Sequence, residues 1–280
     1  MGAVPAAGRT WSAGRVVLVV VLCAAAFVAL LPFLWMLSAS LRPRGDLIAH
    51  PTSLWPGAFT WQNYANVWTQ IPFGRQLVNT VVFAGTVAVV SVVLDSMAGY
   101  ALARFTFPGQ TVVLVLVITT LMLPPQVTLV PVYNVLVDLG WVNTFHGLIV
   151  PRAADAFGIF FMRQFFLSLP RDLEDAARID GAGEARIFAR VMLPLAWPGA
   201  LTIGLFNLLN NWNDLLWPLV VTTDTTMRTL PAGLALFKGE HVSDYGLLMA
   251  GAVLALLPML VAFFAVQRRF IEGIATTGLK

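Results

Sequence analysis

The sequence contains little charge, one cysteine and three histidines. Only 11% of its 280 residues are Asp, Glu, Lys or Arg, against roughly a quarter in average domains. The single cysteine, Cys23, excludes an internal disulfide framework, and His50, His146 and His241 are far apart in the sequence. The chain also lacks a G-x-x-x-x-G-K-[ST] phosphate loop and an H-E-x-x-H zinc motif. We therefore expect no catalytic residue, no metal site and no cofactor bound by this chain.

Apolar residues are abundant instead. They make up 58% of the chain, against about 45–50% in soluble domains. A soluble protein of this size would expose much of that apolar surface to water. The sequence therefore predicts a membrane protein. The net charge of +3 does not indicate nucleic acid, because the arginines flank apolar runs, where they commonly set membrane orientation.

The apolar runs predict an all-α protein with six transmembrane helices. A run of about 20 apolar residues is long enough to cross a bilayer. The first run follows Arg9 and Arg15 and is too long for a typical signal peptide, although that alternative is open. The third contains Pro124, Pro125 and Pro131, which predict a kink that should face protein or a wet cavity. The six predicted spans cover about residues 16–41, 76–101, 111–133, 147–166, 197–221 and 245–267.

The distribution of basic residues predicts the orientation. With the N-terminus inside, eleven of the 17 Lys and Arg residues fall in cytoplasmic segments. Basic residues favour the cytoplasmic side, so we expect both termini to be cytoplasmic. Residues 1–280 then form a single transmembrane domain, and the loop 168–196 is cytoplasmic.

This loop carries an unusual concentration of charge. Nine of the 31 charged residues lie between Arg171 and Arg190. PRDLEDAARIDG predicts a short helix with acidic residues at its positive end and Gly181 as its C-terminal cap. EARIFARVML predicts a second helix. Such a unit can be a solvated connector, or it can insert its small alanine surface into a groove of a partner protein.

The spacing in this loop resembles a known motif. DAARIDG, nine residues and VMLP resemble the EAA loop of importer-type ABC transporter permeases. Asp175 stands for the glutamate of that motif and Val191 for its isoleucine, while the two alanines, the glycine and Leu193-Pro194 match it. Four further stretches are similar to carbohydrate-uptake permeases of the maltose and glycerol-phosphate type: FTWQNYANVW, MLPPQVTLVPVYNVLVDLGWVNTFHGLIVP, RTLPAGLALFKGE and QRRFIEGIATTGLK.

The resemblance implies a membrane-spanning permease subunit of an ATP-driven sugar importer in a bacterial inner membrane. It implies a second permease subunit as heterodimer partner, two cytoplasmic ATPase subunits that hold ATP-Mg, and an extracytoplasmic substrate-binding protein. Residues 172–186, between the fourth and fifth spans, would be the coupling helix that docks on an ATPase. The implied coupling residues are Glu174, Asp175, Ala176, Ala177, Arg178, Asp180 and Gly181.

Polar residues in the fifth span are candidates for the translocation pathway. Polar groups inside a membrane are costly and often functional. At helical spacing they share one face, and amides, a carboxylate and an aromatic ring suit a sugar. The alternative is that they join helices by hydrogen bonds. The candidates are Asn207, Asn210, Asn211, Asp214 and Trp217.

Three further charged residues lie in other predicted spans. Arg152 is one turn from Asp155, and the two can form a structural pair. Asp95 precedes Ala98 and Gly99, which allow close helix contact.

Several other functions are compatible with a helical membrane protein. The second hypothesis is an ABC importer for a non-sugar solute such as an amino acid, phosphate ester or polyamine. An ion-coupled secondary transporter would be expected to show inverted repeats, which are not apparent. An intramembrane enzyme would need paired catalytic groups, and a scaffold protein would not need the charged helix.

Overall fold

The computed structural model describes residues 13–55, 57–235 and 244–277, and these ranges are helical with no strand. Predictions that rest on Arg9, Lys238 and Lys280 lie outside the described residues. The helices are α1 Ala13–Ser40, α2 Arg44–Ala49, α3 Gln62–Gln70, α4 Phe73–Arg104, α5 Gln110–Leu121, α6 Pro125–Asp138, α7 Phe145–Ile149, α8 Ala156–Ser168, α9 Asp172–Ile179, α10 Glu184–Ile187, α11 Leu193–Leu195, α12 Trp197–Trp212, α13 Leu216–Val221, α14 Leu230–Leu234 and α15 Tyr245–Thr277. A 3-10 turn, Val150–Arg152, follows α7, and a π-helix, Phe188–Met192, follows α10.

Three helices are long and apolar enough to cross a membrane on their own. They are α1, α4 and α15, and the most apolar window of α1 has no residue buried inside the protein. An α-helix rises about 1.5 Å per residue, so the 32 residues of α4 extend about 48 Å, more than the thickness of a bilayer core. The exposed apolar surface of α1 therefore suits contact with lipid or with another membrane helix.

Further spans are bent rather than continuous. α5 and α6 meet at 105°, α7 with its 3-10 turn meets α8 at 41°, and the segment 184–195 meets α12 at 77°. The described residues thus contain three spanning helices, or up to six if each bent pair is one span. The kink predicted at Pro124 and Pro125 is confirmed, because α5 has ended by Leu121 and proline cannot continue its hydrogen bonding.

The fifth predicted span is not one helix. It was predicted over about residues 197–221, but α12 ends at Trp212 and α13 begins at Leu216. Pro218 follows this break, and Asn213 and Asp214 lie within it. Polar side chains in this break compete with the helical backbone for hydrogen bonds, which favours a turn there.

The centre of the fold is α4, against which α8 and α12 pack. Gly99 lies at the closest approach of α4 to α8, because a Cβ atom there would be 2.8 Å from the Arg163 backbone nitrogen. The prediction that Gly99 permits close helix contact is therefore confirmed. Next to it, Tyr100, Met162 and Phe166 form a buried cluster with Ile187 of α10. This cluster connects the charged loop to the membrane helices.

The segment after α1 is organised around one buried arginine. The Arg42 side chain is fully buried and donates to Asp46 at 2.6 Å and to the carbonyls of Ser53 and His50. This hydrogen bond from Arg42 lowers the pKa of the Asp46 carboxyl below its usual value. The loop therefore has a fixed fold of its own, although its sequence shows only turn signals.

Candidate functional site

The charged loop forms the predicted helix–glycine–helix unit. α9 carries three acidic residues in its first turn, where the helix dipole favours negative charge. Gly181 has φ of +80°, and its N–H bonds to the Arg178 carbonyl while the Ala182 N–H bonds to the Ala177 carbonyl, both at 3.0 Å. This is the glycine cap predicted from the sequence, and glycine adopts its left-handed backbone without steric cost.

Glu174 lies on the inner side of α9, not on its exposed side. Its Oε1 is 2.9 Å from the Nε of Arg104 at the end of α4, and both side chains are almost fully buried. Arg104 also donates to the Leu169 carbonyl at 2.8 Å. The sequence had predicted Glu174 as part of the docking face. In this conformation its side chain is buried and therefore cannot lie on an exposed face. The sequence missed Arg104 as the residue that holds α9 against α4.

Arg178 is likewise used within the unit. Its guanidinium donates to Glu184 and to Asp175, each at 2.8 Å. The hydrogen bond to Glu184 is the main reason that the pKa of the Arg178 guanidinium is raised above its usual value, and Asp175 adds to it. Because Glu184 begins α10, the arginine joins the two helices across Gly181. Arg178 thus has an internal role, and its part in coupling stays a prediction because the side chain is still 39% exposed.

The exposed face of α9 is small and partly apolar. Ala176 and Asp180 are exposed there, Leu173 is 41% exposed and Ile179 is 87% exposed. Ala177 instead packs against the buried cluster below. The sequence prediction omitted Ile179, although an isoleucine between Arg178 and Asp180 in a polar helix was a visible signal.

The second helix of the unit is wider than predicted. After four residues of α10, the chain continues as a π-helix over Phe188–Met192. Pro194 has no backbone N–H, so a carbonyl of the preceding turn loses its usual hydrogen-bond donor. This favours a local change of helical pitch. Ile187 and Met192 are buried, while Arg186 and Arg190 are exposed, so this segment has one face toward the protein and one toward the outside.

A second candidate site lies beside the breaks before α6, before α8 and after α12. A cavity of about 510 Å³ occupies this place, within the size range of small-molecule sites. The kink at Pro125 borders it, as predicted for a break inside a membrane. Its polar and charged lining residues are Thr120, Thr128, Arg152, Asp155, Asn207, Asn210, Asn211 and Asp214.

Four of the five predicted pathway residues, Asn207, Asn210, Asn211 and Asp214, border this cavity, whereas Trp217 lies beyond the end of α12 and does not. Asn207 is nearly buried and donates to Ser91 of α4 at 2.8 Å, which is the helix-joining role named as the alternative. Asn211 donates to the Asn207 carbonyl. Trp217 is 3% exposed and donates to the Leu148 carbonyl at 3.0 Å. Its ring therefore offers no open face to a sugar.

The other two predicted residues, Asn210 and Asp214, are more open to the cavity. Asn210 is exposed, and its side chain makes no hydrogen bond to the part of the chain that the structure describes. Asp214 accepts from the Trp217 backbone N–H at 3.2 Å and thereby caps α13. Its second oxygen, Oδ2, is 2.9 Å from the Arg152 guanidinium.

The predicted pair of Arg152 with Asp155 is wrong, because Arg152 pairs with Asp214. Its guanidinium also lies 5.4 Å from the centroid of the Trp217 ring. Asp155 instead caps α8 by accepting from Gly158 at 3.3 Å. The sequence did not place Arg152 in the pathway, since its partner is 62 positions away.

Asp95 of α4 holds the start of α8 through a hydrogen bond. Its side chain is fully buried and accepts from the Asp155 N–H at 3.0 Å. A Cβ atom at Gly158 would collide with the Asp95 carboxylate. Asp95 therefore fixes the break before α8, a role that the sequence left open. Across the described ranges, no group of three or more His, Cys, Asp or Glu side chains is placed to hold a metal ion.

Comparison with known proteins gives three consistent matches. Residues 95–275 match the family described as "Binding-protein-dependent transport system inner membrane component". The chain is 36% identical to the arabinooligosaccharides transport system permease protein AraQ of Halalkalibacterium halodurans, over 91% of this chain and 92% of that protein. It is also 36% identical to the diacetylchitobiose uptake system permease protein NgcG of Streptomyces coelicolor, over 89% and 83% of the two chains.

A solved structure has the same fold. It is the crystal structure of a bacterial ABC transporter involved in the import of the acidic polysaccharide alginate. The match has a TM-score of 0.79 at 24% identity and covers 95% of this chain and 100% of the other.

Proposed function

Since the chain belongs to the family of binding-protein-dependent transport system inner membrane components, we propose that it is a permease subunit of an ATP-driven sugar importer. It is a multi-pass membrane protein of a transporter family. We propose that residues 1–280 form one transmembrane domain of six spans with both termini in the cytoplasm. The three long helices and three bent pairs support this count.

The relatives support a sugar as the transported solute. The names of AraQ and NgcG specify arabinooligosaccharides and diacetylchitobiose, and both proteins match almost this whole chain. An amino acid or a polyamine is named by neither of these relatives. We propose that the chain forms half of the translocation pathway, beside a second permease subunit that completes a heterodimer, and that an extracytoplasmic binding protein delivers the sugar.

We propose that the energy comes from two cytoplasmic ATPase subunits, which bind ATP-Mg, and that this chain itself catalyses no reaction. The exposed face of α9 is the observation that carries this proposal. Ile179 is 87% exposed in a charged loop, and its burial in a groove of another protein would gain free energy. The contact set is then Asp175, Ala176, Ile179 and Asp180, while Gly181 shapes the turn.

The internal ion pairs of the loop give α9 the stiffness that such docking requires. Arg178 joins α9 to α10, and Arg104 joins Glu174 to the end of α4. A displacement imposed on α9 by the ATPase would therefore reach α4 instead of being absorbed by a flexible loop.

A co-purification tests the docking role. We would express the chain with its cognate permease and ATPase subunits, purify the complex in mild detergent through a tag on this chain, and compare Ile179→Lys with Ile48→Lys. Ile48 is 70% exposed on α2, far along the chain from α9, so it is a matched surface control. Loss of a central interface side chain commonly weakens binding on the order of 30-fold, so we expect Ile179→Lys to lose the ATPase and keep the partner permease.

Two other results would contradict this expectation. Retention of the ATPase by Ile179→Lys would remove α9 as the docking helix. Loss of the ATPase from both variants would show that a charge on any exposed surface disrupts the complex.

A further inference from the structure

Three cavities meet at one arginine. Arg152 borders the cavity of about 510 Å³, a second of about 220 Å³ and a third of about 100 Å³. Asp214 borders the first two. The Arg152–Asp214 ion pair therefore lies on the shared wall of the two larger cavities.

These two cavities share α6 and differ in their other walls. The larger is bordered by α5, α6, the start of α8 and α12. The smaller is bordered by α6 and α13. Pro125, Arg152 and Asp214 border both cavities, so a solute that moves between them passes the ion pair.

The pair presents a donor and an acceptor side by side. Arg152 is 33% exposed and Asp214 is 17% exposed, so both reach the cavity surface. A guanidinium keeps unused N–H donors after one contact, and a carboxylate keeps free lone pairs. Neighbouring hydroxyl groups of a sugar can both donate and accept, so they can bond to these free donors and lone pairs while the ion pair stays in place. The exposed Asn210 amide adds a further donor and acceptor.

We propose that Arg152, Asp214 and Asn210 bind the hydroxyl groups of a neutral sugar as it moves between the two cavities. This inference rests on the proposed function and names the substrate class of its pathway. Arg152 and Asp214 then determine specificity, and this chain contacts the sugar directly.

The charge balance favours a neutral solute over an anion. Among the lining side chains, one guanidinium stands beside the carboxylates of Asp214 and Asp155. An acidic sugar or a phosphate ester would bring a further negative charge to two carboxylates in a membrane, where little water screens the repulsion. A neutral polyol meets no such repulsion.

The test uses the whole transporter in proteoliposomes, with cognate partner permease, ATPase and binding protein. We would measure uptake and ATP hydrolysis with maltose, arabinotriose and diacetylchitobiose as neutral probes, and with glucuronate and sn-glycerol 3-phosphate as anionic probes. The variants are Asp214→Asn, Arg152→Gln and Asn210→Ala. Asn213→Ala is the control, because Asn213 lies in the same break but borders none of the three cavities.

We expect the transporter to take up a neutral sugar. In Asp214→Asn and Arg152→Gln, the amount of sugar taken up per ATP hydrolysed should fall on the order of tenfold, because hydrogen bonds to charged groups are lost. Asn210→Ala, which breaks no hydrogen bond of the fold, should raise the KM for uptake. Asn213→Ala should leave both quantities unchanged. A purely structural role would instead lower ATP hydrolysis and uptake together.

Three results would overturn the inference. Uptake of glucuronate or glycerol phosphate in place of a neutral sugar would refute the substrate class while ATP-driven transport stands. Unchanged uptake per ATP in all three variants would refute sugar contact by these residues. Absence of ATP-dependent uptake for all five probes would overturn the proposed sugar import, and this inference with it.

Discussion

At the residue scale, two adjacent acidic residues of α9 have opposite environments. Glu174 is buried against Arg104, whereas the Asp175 side chain is 65% exposed and pairs with the exposed Arg178. They are neighbours in sequence, but a helix turns about 100° per residue, so one faces α4 and the other faces outward. Their charges therefore contribute very differently to stability.

We expect Glu174→Gln to destabilise the protein by on the order of 3 kcal/mol, because Arg104 would be left buried without its countercharge. Asp175→Asn should change stability by about 0.5 kcal/mol or less, as for exposed ion pairs. Thermal unfolding of the detergent-solubilised protein measures both changes. The double variant Arg104→Gln/Glu174→Gln should recover part of the loss, and equal effects of the two single variants would contradict the burial of Glu174.

At the element scale, the close contact of α4 with α8 depends on Gly99, which has no side chain. A Cβ atom at Gly99 would lie 2.8 Å from the Arg163 nitrogen and 3.0 Å from the Ile159 carbonyl oxygen. Both are backbone atoms, which cannot rotate away as a side chain can. The position of α8, and with it the break that carries Arg152 and Asp155, thus depends on Gly99.

Gly99→Ala should lower stability by about 1–3 kcal/mol, since α8 has to move outward to accept the methyl group. Gly85→Ala on the same helix is the control, because no atom lies within 4 Å of its Cβ position. Alanine also has the better helix propensity, so the control should be neutral or slightly stabilising. Chemical denaturation in detergent distinguishes the two, and equal stabilities would show that α8 is not held at this distance.

At the scale of the whole molecule, the apolar surface is distributed for a membrane. The most apolar part of α1 is entirely unburied, and only 22% of the corresponding window of α15 is buried. Such surfaces would aggregate in water, but they are compatible with lipid or a partner's helices. Among these three long helices, α4 has the largest buried share of its apolar window, 39%, as the central helix of the fold.

Cysteine labelling tests the proposed orientation. Because Cys23 is the single native cysteine, Cys23→Ser provides a background for introduced thiols. We expect a membrane-impermeant maleimide to label Thr52→Cys in intact cells and Asp180→Cys only after permeabilisation, since one span separates Thr52 from the N-terminus and α9 is proposed to be cytoplasmic. The reverse pattern would place both termini outside.

The sequence alone determined the class of this protein and the shape of its charged loop. Membrane insertion follows from apolar runs, the break before α6 follows from Pro124 and Pro125, and the turn after α9 follows from Gly181. Each of these depends on local chemistry: the transfer of side chains into lipid, a missing N–H, or a left-handed backbone. Local effects act within a few residues and are therefore visible in the sequence.

The tertiary structure decided which charges meet. Arg152 pairs with Asp214 rather than Asp155, Arg104 pairs with Glu174, and Asn207 turns toward Ser91. These contacts depend on which helices pack against α4 and on where α12 stops, since a few residues of irregular chain redirect every side chain that follows. Ion pairing depends on the distance between two side chains in space, and that distance is set only when the helices pack.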